Sequence, residues 1–231
     1  MLISHKYKYI YIHIPKTGGI SIKDALQGTY DKVLSKRIMQ HATLSEVERL
    51  IESKRFNRYF KFCFIRNPWD WYVSMFHYIK NTPHKDHKIA KNRSFKEFLE
   101  WVRDVGSKRK IAPVGWWYRE DMHVSKEQRK LREKLMPSYR QQIDYAKNLN
   151  GVPSMDFYGS FESLQKDFDY ICDRVNIPHR ILPKLNITSH DHYSKHYDNT
   201  SLEIVKQISK SDIEIFQYDF GENHENNRSS I

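Results

Sequence analysis

Bulky apolar residues alternate with others over 7–14 (YKYIYIHI), and this period of two in a run of strand formers predicts a β-strand. Pro15 ends it, because proline has no N–H to give to a ladder. Past the turn Lys16-Thr17-Gly18-Gly19 the period changes: Ile22, Ala25 and Leu26 fall on one side of a helix over 20–26. The same sequence of events recurs at 61–65 (KFCFI), a second strand broken by Arg66-Asn67-Pro68, with Pro68 suited to the first turn of an aromatic-rich helix. Between the two, 31–34 reads as a short strand and 43–54 as a helix opened by a capping box, Thr43 with Glu46. Further on, the pattern predicts an amphipathic helix over 94–104, a helix over 138–148, a strand over 155–158 and a helix over 160–175. Phe161, Leu164, Phe168, Ile171 and Val175 share one face of the last of these. One or two closing helices follow over 201–218, and the tail from 221 is polar. Strands alternating with helices imply an α/β fold with a mostly parallel sheet covered on both faces.

At 231 residues the chain fits one domain, with a surface insertion at about 80–137 that is dense in Lys and Arg and carries Trp116-Trp117-Tyr118. A formal charge of +11 calls for an acidic partner: nucleic acid, an anionic membrane or glycan, or a polyanionic cofactor. The sequence holds neither a zinc pattern nor an RNP-like aromatic strand nor a basic helix dimer. A basic nucleic-acid-binding protein without catalysis is therefore a distant alternative. Two cysteines exclude a disulfide framework, and both sit in apolar stretches as small buried groups. The first residues contain no long apolar run, so no signal peptide or membrane span is expected; the expected location is cytoplasmic, the alternative being a chain trimmed of an anchor.

The turn at 16–19 carries the chemistry. Adjacent glycines let backbone approach a ligand closely, a helix start offers free N–H groups, and Lys16 adds a charge, which together suit a phosphate-like anion. A nucleoside-triphosphate loop would place its lysine after the last glycine, followed by Ser or Thr for Mg²⁺. Here Lys16 precedes both glycines and no G-K-[ST] occurs, which disfavours the alternative of a nucleotide or sugar kinase. Arg66, at the end of the second strand, and Ser74, on the helix after it, suit a second phosphate.

The order IPKTGG-x-S resembles the 5′-phosphosulfate loop of the sulfotransferases, particularly the carbohydrate branch, and FIRNPWDWYVSMF resembles their 3′-phosphate motif. Trp71 stands where that motif usually has arginine. The segment from Asp156 to Glu162 resembles the family's late strand–helix unit, in which a glycine turn leads into F-E-x-L. LNITSHDHY resembles the loop that closes over the nucleotide. The resemblance implies a P-loop-like three-layer fold. It also implies a sulfuryl transfer from 3′-phosphoadenosine-5′-phosphosulfate (PAPS) to a hydroxyl, with adenosine 3′,5′-bisphosphate (PAP) as product and no metal. The acceptor it implies is a hydroxylated carbohydrate, with an acidic glycan as the candidate that the charge suits. Lys16, Thr17, Gly18, Gly19, Ile20 and Ser21 would hold the 5′-phosphosulfate, Arg66 and Ser74 the 3′-phosphate, and Asn186, Ser189 and Tyr193 further parts of the nucleotide. Lys16 would also stabilise the charge that builds on the bridging oxygen.

For the general base, His41 is the candidate: it precedes the capped helix, and imidazole near its reference pKa of about 6.5 accepts a proton at neutral pH. It could equally pack on that helix, just as Ser21 and Ser74 could be helix residues alone and Arg66 could pair with Asp70. His13 reads as a structural strand residue. Trp116 and Trp117 suit either stacking on acceptor sugar rings or anchoring of the insertion.

Overall fold

The structure, a computed structural model, describes residues 1–32, 41–81, 90–108, 141–185 and 191–221. They divide into two compact units. The first holds residues 1–67 and 145–187, and the second 68–144 and 188–221.

The first unit is built on a four-stranded sheet in the order of the chain. A strand at Leu2–Ser4 (β1) pairs antiparallel with Tyr9–Ile12 (β2). The parallel strands Phe60–Ile65 (β3) and Phe157–Ser160 (β4) then follow. Among the described residues three helices come between β2 and β3, at Gly19–Ala25 (α1), Leu44–Glu48 (α2) and Ser53–Arg58 (α3). Every residue of β2 is buried, as expected of a strand covered on both faces. On one face Tyr9, Tyr11, Phe62 and Phe64 pack with Ile22 of α1, with Leu26 just after it, and with Phe168, Ile171 and Val175 of a helix at Leu164–Val175. The other face presents Ile10, Ile12, Cys63 and Ile65, all buried.

The second unit is helical. It contains Pro68–Asn81 (α4), Phe95–Lys108 (α5), Asn199–Ile208 (α7) and Lys210–Phe216 (α8), with Leu164–Val175 of the first unit counted as α6. Helix α4 is apolar almost all round, and Trp69, Trp71, Tyr72, Val73, Met75, Phe76 and Ile79 are buried, as befits a central helix. Phe76 lies against Phe95 and Phe98 of α5, ring centroids 5.5 and 5.4 Å apart. Among the described residues no helix is long and apolar enough to cross a membrane.

Several expectations are corrected. The strand expected over 7–14 is shorter, and a hairpin precedes it, turning through residues 5–8 with Lys8 at φ 55°. Asp31 is outside the sheet; its carboxylate accepts the His5 N–H at 2.7 Å, and residues 33–34 lie outside the described ones. The 43–54 helix is two helices. The Thr43–Glu46 capping box forms as expected, but Leu50 N–H turns back to the Val47 carbonyl at 3.0 Å and ends the first helix. Gly159 lies inside β4 against the Phe64 ring instead of in a turn, so the following helix starts at Leu164. At 138–148 the described part is a 3-10 helix, Gln142–Ala146. Most of the insertion, including Trp116 and Trp117, and the tail from 222 lie outside the described residues.

Buried Asp212 accepts the backbone N–H groups of Gln142 at 2.6 Å and Ile143 at 2.8 Å. Asp212→Ala would leave both donors buried without that acceptor, so a stability loss of about 2–4 kcal/mol is expected, read from urea unfolding midpoints.

Candidate functional site

Parallel pairing aligns the strand ends. Ile12 stands opposite Cys63 and Ile65 opposite Ser160, so the segments leaving β2, β3 and β4 emerge at one edge of the sheet. Ligands of open α/β sheets bind at such carboxyl edges.

The first segment is the turn into α1. Lys16 adopts φ 64° and Gly18 φ 78°, the left-handed region, which costs a non-glycine residue energy. Gly18 forms the N-cap, and helical bonding begins with Ile22 N–H to the Gly18 carbonyl at 3.2 Å. The N–H groups ahead of Ile22 thus stand outside the helix ladder. Thr17 is fully buried and its hydroxyl donates to the Ile14 carbonyl at 2.9 Å, so that side chain locks the turn. Ile20 is exposed, while buried Ser21 accepts the Leu185 N–H at 3.4 Å through its hydroxyl. Gly19 is required for a steric reason: a Cβ there would fall inside the His13 imidazole.

The second segment follows β3. Arg66 is only 8% exposed; its guanidinium donates from Nη1 to the Lys16 carbonyl at 3.2 Å and sits over Phe161, its central carbon 4.0 Å from the ring centroid. Asn67 N–H donates to Glu162 Oε1 at 2.7 Å. The structure thus joins the Lys16 turn and Arg66. Burial, with Arg66 nearby, lowers the Lys16 ammonium to a pKa of about 8, leaving it charged at neutral pH but nearer to losing its proton.

His41 lies beside the turn. Its Nδ1 is 2.9 Å from the His13 carbonyl, which can only accept, so Nδ1 carries the proton and Nε2 keeps its lone pair in the neutral ring. The two imidazoles are 4.5 Å apart. Burial is the main cause that lowers both pKa values, His41 to about 3 and His13 well below its ordinary value, so both are neutral near pH 7. His13, read from the sequence as structural, forms the wall behind Gly19 and supplies the carbonyl that fixes the His41 tautomer.

Ser74 and Tyr193 belong to the second unit. Ser74 is buried on α4, and the Tyr193 hydroxyl accepts the Gly221 N–H at 2.9 Å. Trp71, at the usual arginine position, is buried with its ring edge-on to Tyr72. Asn186 and Ser189 lie outside the described residues. From its sequence Phe161 belongs to the apolar face of the helix over 160–175, yet it lies ahead of α6, which starts at Leu164; the F-E-x-L pattern marks Phe161 and Glu162, but only the fold shows them against Arg66 and Asn67.

The chain is similar to an uncharacterized protein of Archaeoglobus fulgidus, 24% identical over 151 residues that make up 64% of this chain and 94% of that one. It is also similar to the crystal structure of mouse sulfotransferase SULT7A1 complexed with PAP, with a TM-score of 0.39, 16% identity, and coverage of 91% of this chain and 67% of that one. The family model described as "Sulfotransferase family" matches residues 1–219, a span that takes in the turn at Lys16, the Arg66 segment and both units. The chain therefore belongs to the sulfotransferase family.

Proposed function

We propose that the protein transfers a sulfuryl group from PAPS to a hydroxyl of a carbohydrate, as a single sulfotransferase-like domain. Family membership supports the transfer. The observation that carries the assignment of residues is the meeting of the Lys16 turn with Arg66, two cationic segments on one sheet edge, as a donor with two separate anionic groups requires. The residues fit such a donor: a glycine turn whose backbone N–H groups ahead of Ile22 stand outside the helix ladder, a charged lysine within it and a planar guanidinium alongside. Lys16 and the backbone N–H groups of 17–21 hold the 5′-phosphosulfate, Arg66 and Ser74 the 3′-phosphate, and Asn186, Ser189 and Tyr193 the rest of the nucleotide. The glycan acceptor is supported by the resemblance to the carbohydrate branch and by the charge of +11, which suits an acidic polymer. Trp116 and Trp117 are the candidates for contact with it.

In the reaction a bond forms from acceptor oxygen to sulfur as the bond from sulfur to the 5′-phosphate oxygen breaks. When bound, the donor supplies the sulfuryl group and departs as PAP. His41 Nε2 takes the proton from the acceptor hydroxyl, its tautomer set by the His13 carbonyl. Lys16 neutralises the charge that appears on the bridging oxygen, where a positioned cation is worth most in a water-poor site.

Calorimetry should show PAP binding well ahead of ATP, followed by transfer of radiolabelled sulfate from PAPS onto members of a glycan panel. Turnover with ATP and Mg²⁺ but none with PAPS would overturn the proposal. Lys16→Ala should cut kcat by about 100-fold or more with a smaller effect on PAP affinity, whereas Arg66→Ala should weaken PAP binding about tenfold or more. His41→Ala should abolish transfer and leave PAP affinity unchanged; unaltered turnover would remove His41 as the base.

The pH profile follows from the two shifts. His41 must be neutral, which holds above about 3, and Lys16 must be charged, which holds below about 8. The kcat/KM profile, which reports the free enzyme, should stay level from pH 7 to 5 and fall as pH rises through about 8. An acid limb near 6.5 would show that His41 titrates as an ordinary imidazole.

A further inference from the structure

The strand–helix connection after β4 reaches both cationic segments. Phe161 N–H donates to the Ile65 carbonyl at 2.7 Å, fixing the Phe161 backbone to the last residue of β3, immediately before Arg66. Its ring then supports the guanidinium at 4.0 Å. The next residue, Glu162, accepts the Asn67 N–H at 2.7 Å with Oε1, while its other oxygen accepts the Ser160 hydroxyl. Ser160 N–H and the Ser163 hydroxyl both donate to Asp167, at 2.7 and 2.9 Å, so the connection is tied to α6. Leu164 packs against Gly18, where a Cβ would lie 2.8 Å from the Leu164 methyl Cδ2. One short segment therefore touches the Arg66 side chain, the backbone after it and the glycine turn.

A guanidinium carries its donors in one plane, and an aromatic face beneath it fixes that plane. Phe161 lies under the Arg66 guanidinium carbon and one guanidinium N–H donates to the Lys16 carbonyl, so ring and carbonyl together restrict the orientation of the group. An arginine free to rotate would still attract a phosphate but would lose the geometry of a paired contact.

We infer that Phe161 is a positioning residue for Arg66 and so a determinant of selectivity for nucleotides phosphorylated at the 3′ position over those carrying a 5′-phosphate alone. This rests on the reading of Arg66 as the 3′-phosphate ligand. Phe161 touches no phosphate itself; it acts through the orientation of the guanidinium. Glu162 and Leu164 keep the same segment in register with the Asn67 backbone and the Gly18 turn.

The test is calorimetry of the whole chain and of Phe161→Leu with PAP and with adenosine 5′-monophosphate, alongside thermal melts. The leucine variant should bind PAP about fivefold more weakly and the monophosphate within about twofold of the unaltered protein, and Phe161→Tyr should restore PAP affinity by restoring the ring face. Phe161→Met, which keeps bulk without a ring, serves in the same comparison if the leucine variant does not fold. A merely structural role would lower the melting temperature and weaken both ligands equally, which would overturn the inference, as would unchanged PAP affinity in a folded variant. Failure of the unaltered protein to bind PAP would sink the reading of the site itself and this inference with it.

Discussion

The arrangement depends on the parallel pairing of β2 with β3. Ile12 opposite Cys63 places Lys16 and Arg66 just beyond strand ends that finish within two residues of each other, so both segments leave the sheet at the same edge. A shift of one residue in that register would flip the buried faces of the strands and turn the tyrosines and phenylalanines of the core away from α1 and α6. The core therefore sets the register, and the register sets the site. Antiparallel β1 adds an edge to the sheet without altering this, since its hairpin closes at the opposite end of β2.

Within the edge, the chemistry is shaped by crowding. Lys16 sits in a strained backbone conformation with its carbonyl taken by Arg66, and burial together with that neighbour weakens its hold on a proton. Arg66 is one of the causes that lower the Lys16 pKa, and a polyanion bound beside both cations would act against that repulsion. Burial acts in the same direction on the histidines and, from their lower ordinary pKa, leaves His13 and His41 uncharged near pH 7, whereas Lys16 keeps its charge. An imidazole that is difficult to protonate is a weak base at rest, and the negative charges of a bound donor would raise its affinity for a proton when transfer is under way.

Much of this was legible in the sequence because the signals were local. The apolar run of β3, the proline that opens α4, the Thr43–Glu46 capping box and the paired glycines each act within a few residues. What escaped was decided by distant partners. Three-residue β1 is a strand because Tyr9–Ile12 offers it a ladder, and nothing in its own residues requires one. No glycine or proline marks the break between α2 and α3, which comes from the Val47 carbonyl turning to Leu50. Gly159 reads as a turn in isolation but lies in β4 because the Phe64 ring occupies the space a side chain would need. The same holds at the site: the turn and Arg66 stood out by composition, whereas the role of Phe161 arises only when β4 pairs with β3 and brings residues 66 and 161 together.

The central claim is that the Lys16 turn and Arg66 grip two anionic groups of one adenosine ligand. A crystal structure of the protein grown with PAP tests it most directly. The account predicts one phosphate against the backbone N–H groups of 17–21 beside Lys16 and the other on the Arg66 guanidinium, with that guanidinium still lying on Phe161. A nucleotide bound elsewhere, or bound with only one phosphate reaching these two segments, would contradict it.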